Sequence, residues 1–100
     1  MTIQELTDKM NRFVEAKGWY AEESPSPQIP RNIAVSLSIE AAEVLEHYQW
    51  DGQADREALA EELADVALYL LQLADLEEID LERAILDKLR ANYDRRWSKE

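Results

Sequence analysis

All three prolines of this 100-residue chain, Pro25, Pro27 and Pro30, fall within six residues, and its only two glycines are Gly18 and Gly52. Proline removes a backbone donor and glycine loosens any element that contains it, so the rest of the chain is free of breakers. Within it, apolar residues recur at three- and four-residue spacing, and no convincing length alternates with period two. Every long segment therefore reads as helix and none as strand. Thr2-Ile3-Gln4-Glu5 has capping-box spacing and opens a first helix over about 2–17. Residues 18–30 read as a loop, with Pro30 suited to the first turn of a second helix over about 31–50 that stops at Asp51-Gly52. A third helix is expected over about 55–75, and Asp80 caps a fourth over about 81–96. Short connections between four helices predict an all-α, four-helix bundle-like single domain over 1–100. A chain this short buries a modest core by itself, so association into a dimer or tetramer is expected as well.

Bulk properties remove several classes of function. The chain is 46% hydrophobic and 33% charged, a globular composition. No apolar run approaches the roughly 20 residues of a membrane span, and no basic-then-apolar signal pattern opens the chain. With no cysteine there is neither a disulfide framework nor a thiolate site, and a cytoplasmic protein away from membranes is the expectation. The net charge of −11 argues against a DNA or RNA polymer as partner. That charge is uneven: residues 1–80 hold 5 basic and 18 acidic side chains, and residues 81–100 hold 6 and 4. An acidic body with a basic tail suits a metal–phosphate complex, although basic residues also favour helix C-termini for dipole reasons alone.

The second and third helices carry acids where apolar residues belong. At 100° per residue the second helix has an apolar stripe of Ile33, Leu37, Ala41, Val44 and Tyr48, with Glu40 inside it and Glu43 at its border. The third has Leu59, Leu63, Val66, Leu70 and Leu73, with Glu62 at the edge and Asp65 beside it. Burying an unpaired carboxylate costs several kcal/mol, and four together also repel. A hard divalent cation such as Mg²⁺ compensates directly, because it takes oxygen ligands and keeps room for water and phosphate. Acidic residues are abundant here, so a single i, i+3 pair is more simply a solvated one. Two pairs on adjacent helices carry more weight.

On the fourth helix Leu81, Ile85 and Leu89 define an inner face shared by Lys88 and Asn92. Lys88 either snorkels or reaches a phosphate as a point charge. Trp50 lies two turns past Glu43 and Tyr69 one turn past Asp65, placing each either in the core or stacked beside a metal site. His47, the only histidine, sits one turn from Glu43 as a polar neighbour. There is no GxxxxGK[ST] loop and no GxGxxG turn, and Val44 precedes His47 by three where a di-iron bundle has Glu.

Together these residues resemble the MazG-like, all-alpha nucleoside triphosphate pyrophosphohydrolases, most closely their dCTP pyrophosphatase branch. The family's E-x-x-E followed by E-x-x-D reads Glu40-Ala41-Ala42-Glu43 and Glu62-Leu63-Ala64-Asp65, flanked by PRN, the HYQW end and K-x-x-x-N at Lys88 and Asn92. The likeness covers about residues 28–97 well and the first helix loosely. It implies Mg²⁺-dependent hydrolysis between the α- and β-phosphates of a nucleoside triphosphate, giving the monophosphate and pyrophosphate. By position Glu40, Glu43, Glu62 and Asp65 would be the metal ligands, and Glu40 or Glu43 the base. Lys88 and Asn92 would contact phosphates, while Trp50, Tyr69 and the loop residue Trp19 would line the nucleotide pocket with Asn32 nearby. Mg²⁺ would neutralise the triphosphate and polarise the attacked phosphorus, and a second ion could activate the water. Members assemble as dimers or tetramers with sites where helices of neighbouring chains meet. One departure touches the base pocket: a histidine of the first helix is replaced within Asp8-Lys9-Met10-Asn11. The competing reading is a noncatalytic helical module that senses nucleotide or binds other proteins.

Overall fold

The computed structural model of the chain describes residues 1–95 and contains four helices in order: α1 (Ile3–Ala16), α2 (Pro30–Glu46), α3 (Arg56–Leu76) and α4 (Leu81–Asp94). There is no strand among the described residues. Thr2 and Glu5 form the reciprocal capping box, with both bonds at 3.1 Å. Pro30 occupies the first turn of α2, where its missing N–H leaves nothing unsatisfied. Asp55 and Asp80 cap α3 and α4 through their carboxylates.

Two helices end in the same motif. After α1, Trp19 N–H donates to Val14 O and Gly18 N–H to Glu15 O, with Gly18 left-handed at φ 74°. After α3, Ile79 N–H donates to Ala74 O and Glu78 N–H to Asp75 O, and Glu78 holds the left-handed position at φ 58°. Each motif folds the next apolar residue back over its own helix.

The second helix is shorter than the sequence predicts. It ends at Glu46, and the 47–49 segment continues in i→i−3 bonds, His47 to Val44, Tyr48 to Leu45 and Gln49 to Glu46. This tighter winding turns residues past His47 off the α-helical face. Trp50 therefore leaves the side it would share with Glu43 and stands 90% exposed. The fourth helix ends at Asp94, and the predicted end at Arg96 lies outside the described residues.

The core is formed by Met10 and Val14 of α1, Ile33 of α2, and Leu71 and Ala74 of α3. α3 packs mainly against α2 and also against α1, while α4 touches only α1 and α3 among the described helices. Because α1 crosses the end of α3, the buried side of that end is set by Leu71, Gln72 and Ala74. Leu63 and Leu70 of the expected stripe are exposed, as are Ile85, Lys88 and Leu89 of α4, so the inner face predicted there is half-covered at Leu81 and Asn92 alone. No helix among the described residues is long and apolar enough to cross a membrane.

Candidate active site

Three of the four predicted acids converge. One carboxylate oxygen from each of Glu40 on α2 and Glu62 and Asp65 on α3 lies within 4.8 Å of the others. Their i, i+3 spacing and the α2–α3 packing face produce this cluster. Glu43, one turn beyond Glu40, is outside the tight trio yet close to it, since it interacts with both Glu40 and Glu62. His47 Nε2 lies 3.5 Å from Glu62 Oε1 on the same side.

The acids perturb one another. The Glu40 carboxyl is held above the usual carboxylate range chiefly by a hydrogen bond with Glu62, then by burial and by the charges of Glu62 and Asp65. The Glu43 carboxyl is also raised, through its hydrogen bond with Glu40 and the charge of Glu40. A cation among these carboxylates would relieve the repulsion that raises them. Oxygen-only donors from two helices suit a hard divalent ion, whose adjacent ligand oxygens stand about 2.9 Å apart in octahedral Mg²⁺ geometry.

Glu40 and Asp65 also form one end of a cleft of about 1010 Å³. Its volume is at the upper end of small-molecule sites. Tyr69 on α3, Trp19 and Phe13 form aromatic parts of the wall, and Asn32 lines it while donating Nδ2 to Pro27 O at 2.9 Å. Phe13 and Trp19 meet edge to face, with centroids 5.6 Å apart, because the left-handed Gly18 folds Trp19 back over α1. Lys9 is the one basic side chain among the described residues of this wall.

The expected site residues thus divide. Glu40, Asp65, Tyr69, Trp19 and Asn32 meet at the cleft, and Glu62 with Glu43 stands behind its acidic end. Trp50, Lys88 and Asn92 do not line it within one chain: Trp50 and Lys88 are exposed and Asn92 is half-buried. Sequence reading missed Phe13, Gln28, Ser36 and Gln72, while Lys9 and Met10 fall in the stretch it associates with the base pocket. Gln72 carried a signal, being the lone polar residue in Leu70-Leu71-Gln72-Leu73 and two turns from Asp65.

An all-helical fold thus brings acids from two antiparallel helices to the end of an aromatic cleft, an arrangement of oxygen donors that could hold a divalent cation. The comparisons narrow it: residues 35–100 match the model of the MazG-like family, and the chain belongs to that family. It is 38% identical over 76 residues to dCTP pyrophosphatase 1 of Rattus norvegicus, covering 66% of this chain and 45% of that protein. Against dCTP pyrophosphatase 1 of Homo sapiens the identity is 40% over 73 residues, 63% of this chain and 43% of that one. The chain thus spans less than half the length of these curated relatives. A pyrophosphatase structure from Archaeoglobus fulgidus matches with a TM-score of 0.70 at 38% identity, over 89% of this chain and 86% of that chain.

Proposed function

We propose that the chain is a nucleoside triphosphate pyrophosphohydrolase, cleaving between the α- and β-phosphates to release a monophosphate and pyrophosphate. Its substrate would be a dNTP such as dCTP, or a modified nucleotide removed from the pool, with Mg²⁺ as cofactor and the cytoplasm as its setting. One observation carries this reading: Glu40 and Asp65 belong both to the acidic trio and to the wall of the aromatic cleft. A ligand filling the cleft therefore meets aromatic surface along one part and the carboxylates at the other. The names of the relatives agree with that chemistry.

In this reading Glu40, Glu43, Glu62 and Asp65 hold the metal, which when bound supplies charge neutralisation and polarisation of the phosphoryl centre. Glu43, outside the tight trio and with its carboxyl shifted toward neutrality, holds and deprotonates the attacking water, with Glu40 as the alternative base. Tyr69 and Trp19 flank the nucleoside, and Asn32 braces the loop against α2.

Among the described residues, Lys9 alone brings positive charge to the cleft. Ile85, Leu86 and Leu89 of α4 and Ile39 and Leu45 of α2 are exposed apolar side chains that suit a second copy. We therefore infer a homodimer or homotetramer in which Lys88, Asn92 and Trp50 complete the site of a neighbouring copy.

The test is release of pyrophosphate from a panel of NTPs and dNTPs with Mg²⁺ and with EDTA. Magnesium-dependent release, abolished by Glu62→Gln with Asp65→Asn, is the expected result. Folded protein that leaves every triphosphate intact would overturn it in favour of a noncatalytic nucleotide-sensing or interaction module.

A further inference from the structure

Behind the cleft wall runs a chain of hydrogen bonds whose direction is fixed at both ends. At one end Asp75 Oδ2 accepts from Asn11 Nδ2 at 2.9 Å. A carboxylate only accepts, so Asn11 must present its Oδ1 to Tyr20, which donates its hydroxyl proton there. The Tyr20 oxygen in turn accepts from Gln72 Nε2 at 3.3 Å. At the other end the Ser26 carbonyl accepts from Gln28 Nε2 at 2.8 Å, so Gln28 presents Oε1, which accepts from Gln72 Nε2 at 2.8 Å. Both lines of bonds require Gln72 to donate, and both end on groups that cannot reverse. The amide orientation of Gln72 is thereby set.

What remains of Gln72 is its carbonyl oxygen, Oε1. The residue is 3% exposed, yet among the described residues that oxygen accepts no hydrogen bond. No sealed side-chain polar atom in the described structure lacks a partner. The oxygen must therefore reach open space, and the open space beside Gln72 is the cleft. It is an acceptor oriented by its own amide bonds, in a wall that also carries the aromatic side chains of Tyr69, Phe13 and Trp19. Gln72 also lies two helical turns beyond Asp65, about 10.5 Å along α3. That span matches the separation between the α-phosphorus of a nucleotide and the far edge of a pyrimidine.

We propose that Gln72 selects the nucleobase, its Oε1 accepting a hydrogen bond from an exocyclic amino group on a pyrimidine. The inference rests on the pyrophosphohydrolase reading for the placement of the phosphates. Cytosine offers an N4 amino donor at this edge, whereas uracil and thymine offer a carbonyl acceptor. Oxygen facing oxygen is repulsive, and Gln72 cannot turn to donate without breaking its bonds to Tyr20 and Gln28. A site built to hydrogen-bond one group rejects the analogue that lacks it, because the buried partner is left unpaired.

The experiment compares kcat/KM for dCTP, dUTP and the deoxynucleoside triphosphate of 2-pyrimidinone, which keeps N3 and O2 and lacks only the amino group. Wild-type protein should favour dCTP over both others by roughly tenfold or more. Gln72→Met, close in shape and without the amide, should bring the dCTP-to-dUTP ratio toward one while hydrolysis of dUTP persists. Equal use of dCTP and the 2-pyrimidinone nucleotide by the wild-type protein would overturn the proposal, as would an unchanged ratio in folded Gln72→Met. If Gln72→Met does not fold, the wild-type comparison decides. If no triphosphate yields pyrophosphate, the pyrophosphohydrolase reading fails separately, and calorimetric binding of dCMP against dUMP decides the role of Gln72. Tighter dCMP supports it, and equal or absent binding overturns it.

Discussion

Asn11 on α1 donates to Asp75 on α3 at 2.9 Å, joining residues 64 positions apart across the two helices. Because Asp75 can only accept, this bond orients Asn11, then Tyr20, then Gln72. The loop between α1 and α2 is held against α3 by side-chain polar groups as well as by packing.

Removing the middle of that chain should loosen the loop. In Tyr20→Phe, Asn11 Oδ1 and one hydrogen of Gln72 Nε2 lose their partner, a loss of about 1–2 kcal/mol. For a chain of this length that lowers Tm by roughly 4–8 °C per kcal/mol, measurable by thermal melting. An unchanged Tm would show that the hydroxyl contributes nothing net.

The same hydroxyl gives an alkaline pH dependence. Burial, followed by the nearby charges of Asp75 and Glu15, raises the Tyr20 pKa above its usual value of about 10, against a lowering hydrogen bond from Gln72. Above pH ~10 the folded state then binds more protons than the unfolded one, so stability falls as pH rises through the raised value. Below pH ~10 this contribution is fully present. Denaturant titrations should show a steeper alkaline loss in the wild-type protein than in Tyr20→Phe.

The paired helix ends make a second stability prediction. Gly18 and Glu78 occupy the same left-handed position in the same motif, at φ 74° and 58°. A residue with a Cβ is strained there by about 1–2 kcal/mol, and glycine is not. Glu78→Gly should therefore stabilise the chain by about 1 kcal/mol while α3 and α4 keep their ends. A lower Tm would mean that the Glu78 side chain contributes something the φ angle hides.

The helices were legible because the signals that start and stop them are local. Thr2, Asp55 and Asp80 cap as their residue type predicts, and the breakers mark two of the three connections. The end of α2 was not legible, since the tightening after Glu46 carries no glycine or proline until Gly52. The acids of the trio stood out in the sequence because they interrupt or border the apolar stripes of two adjacent helices. The cleft did not, because Phe13, Gln28 and Gln72 come from three separate segments that only tertiary packing brings together. Periodicity also assigned Leu63 and Leu70 to the core, whereas α3 is apolar on more than the side its own chain covers.

Metal should act on the fold as well as on turnover. Three carboxylates with oxygens within 4.8 Å of one another repel when ionised, and an ion bound only by the folded state stabilises it by about 2.7 kcal/mol at a hundred times Kd. Mg²⁺ should raise Tm, EDTA should reverse the rise, and Asp65→Asn should remove most of it. Glu43→Gln should lower turnover by about a hundredfold or more with a smaller change in the Mg²⁺-induced shift. Equal loss of both would place Glu43 among the ligands alone.

The exposed apolar side of α4 gives the prediction with the widest consequence. Ile85, Leu86 and Leu89 lie on a helix that touches the rest of its own chain only through α1 and α3, and Ile39 and Leu45 of α2 are equally bare. In the proposed oligomer this apolar surface is the interface, and a lysine at Leu89 would have to be buried there as an unpaired charge. Leu89→Lys should therefore shift the protein to monomer in sedimentation equilibrium, while its own α1–α3 core, which does not use Leu89, keeps its helical circular dichroism. Activity should fall together with the oligomer if Lys88 and Asn92 serve a neighbouring site. A variant that is monomeric and fully active would show that one chain carries a complete site, and Lys88 and Asn92 would then be ordinary surface residues of α4.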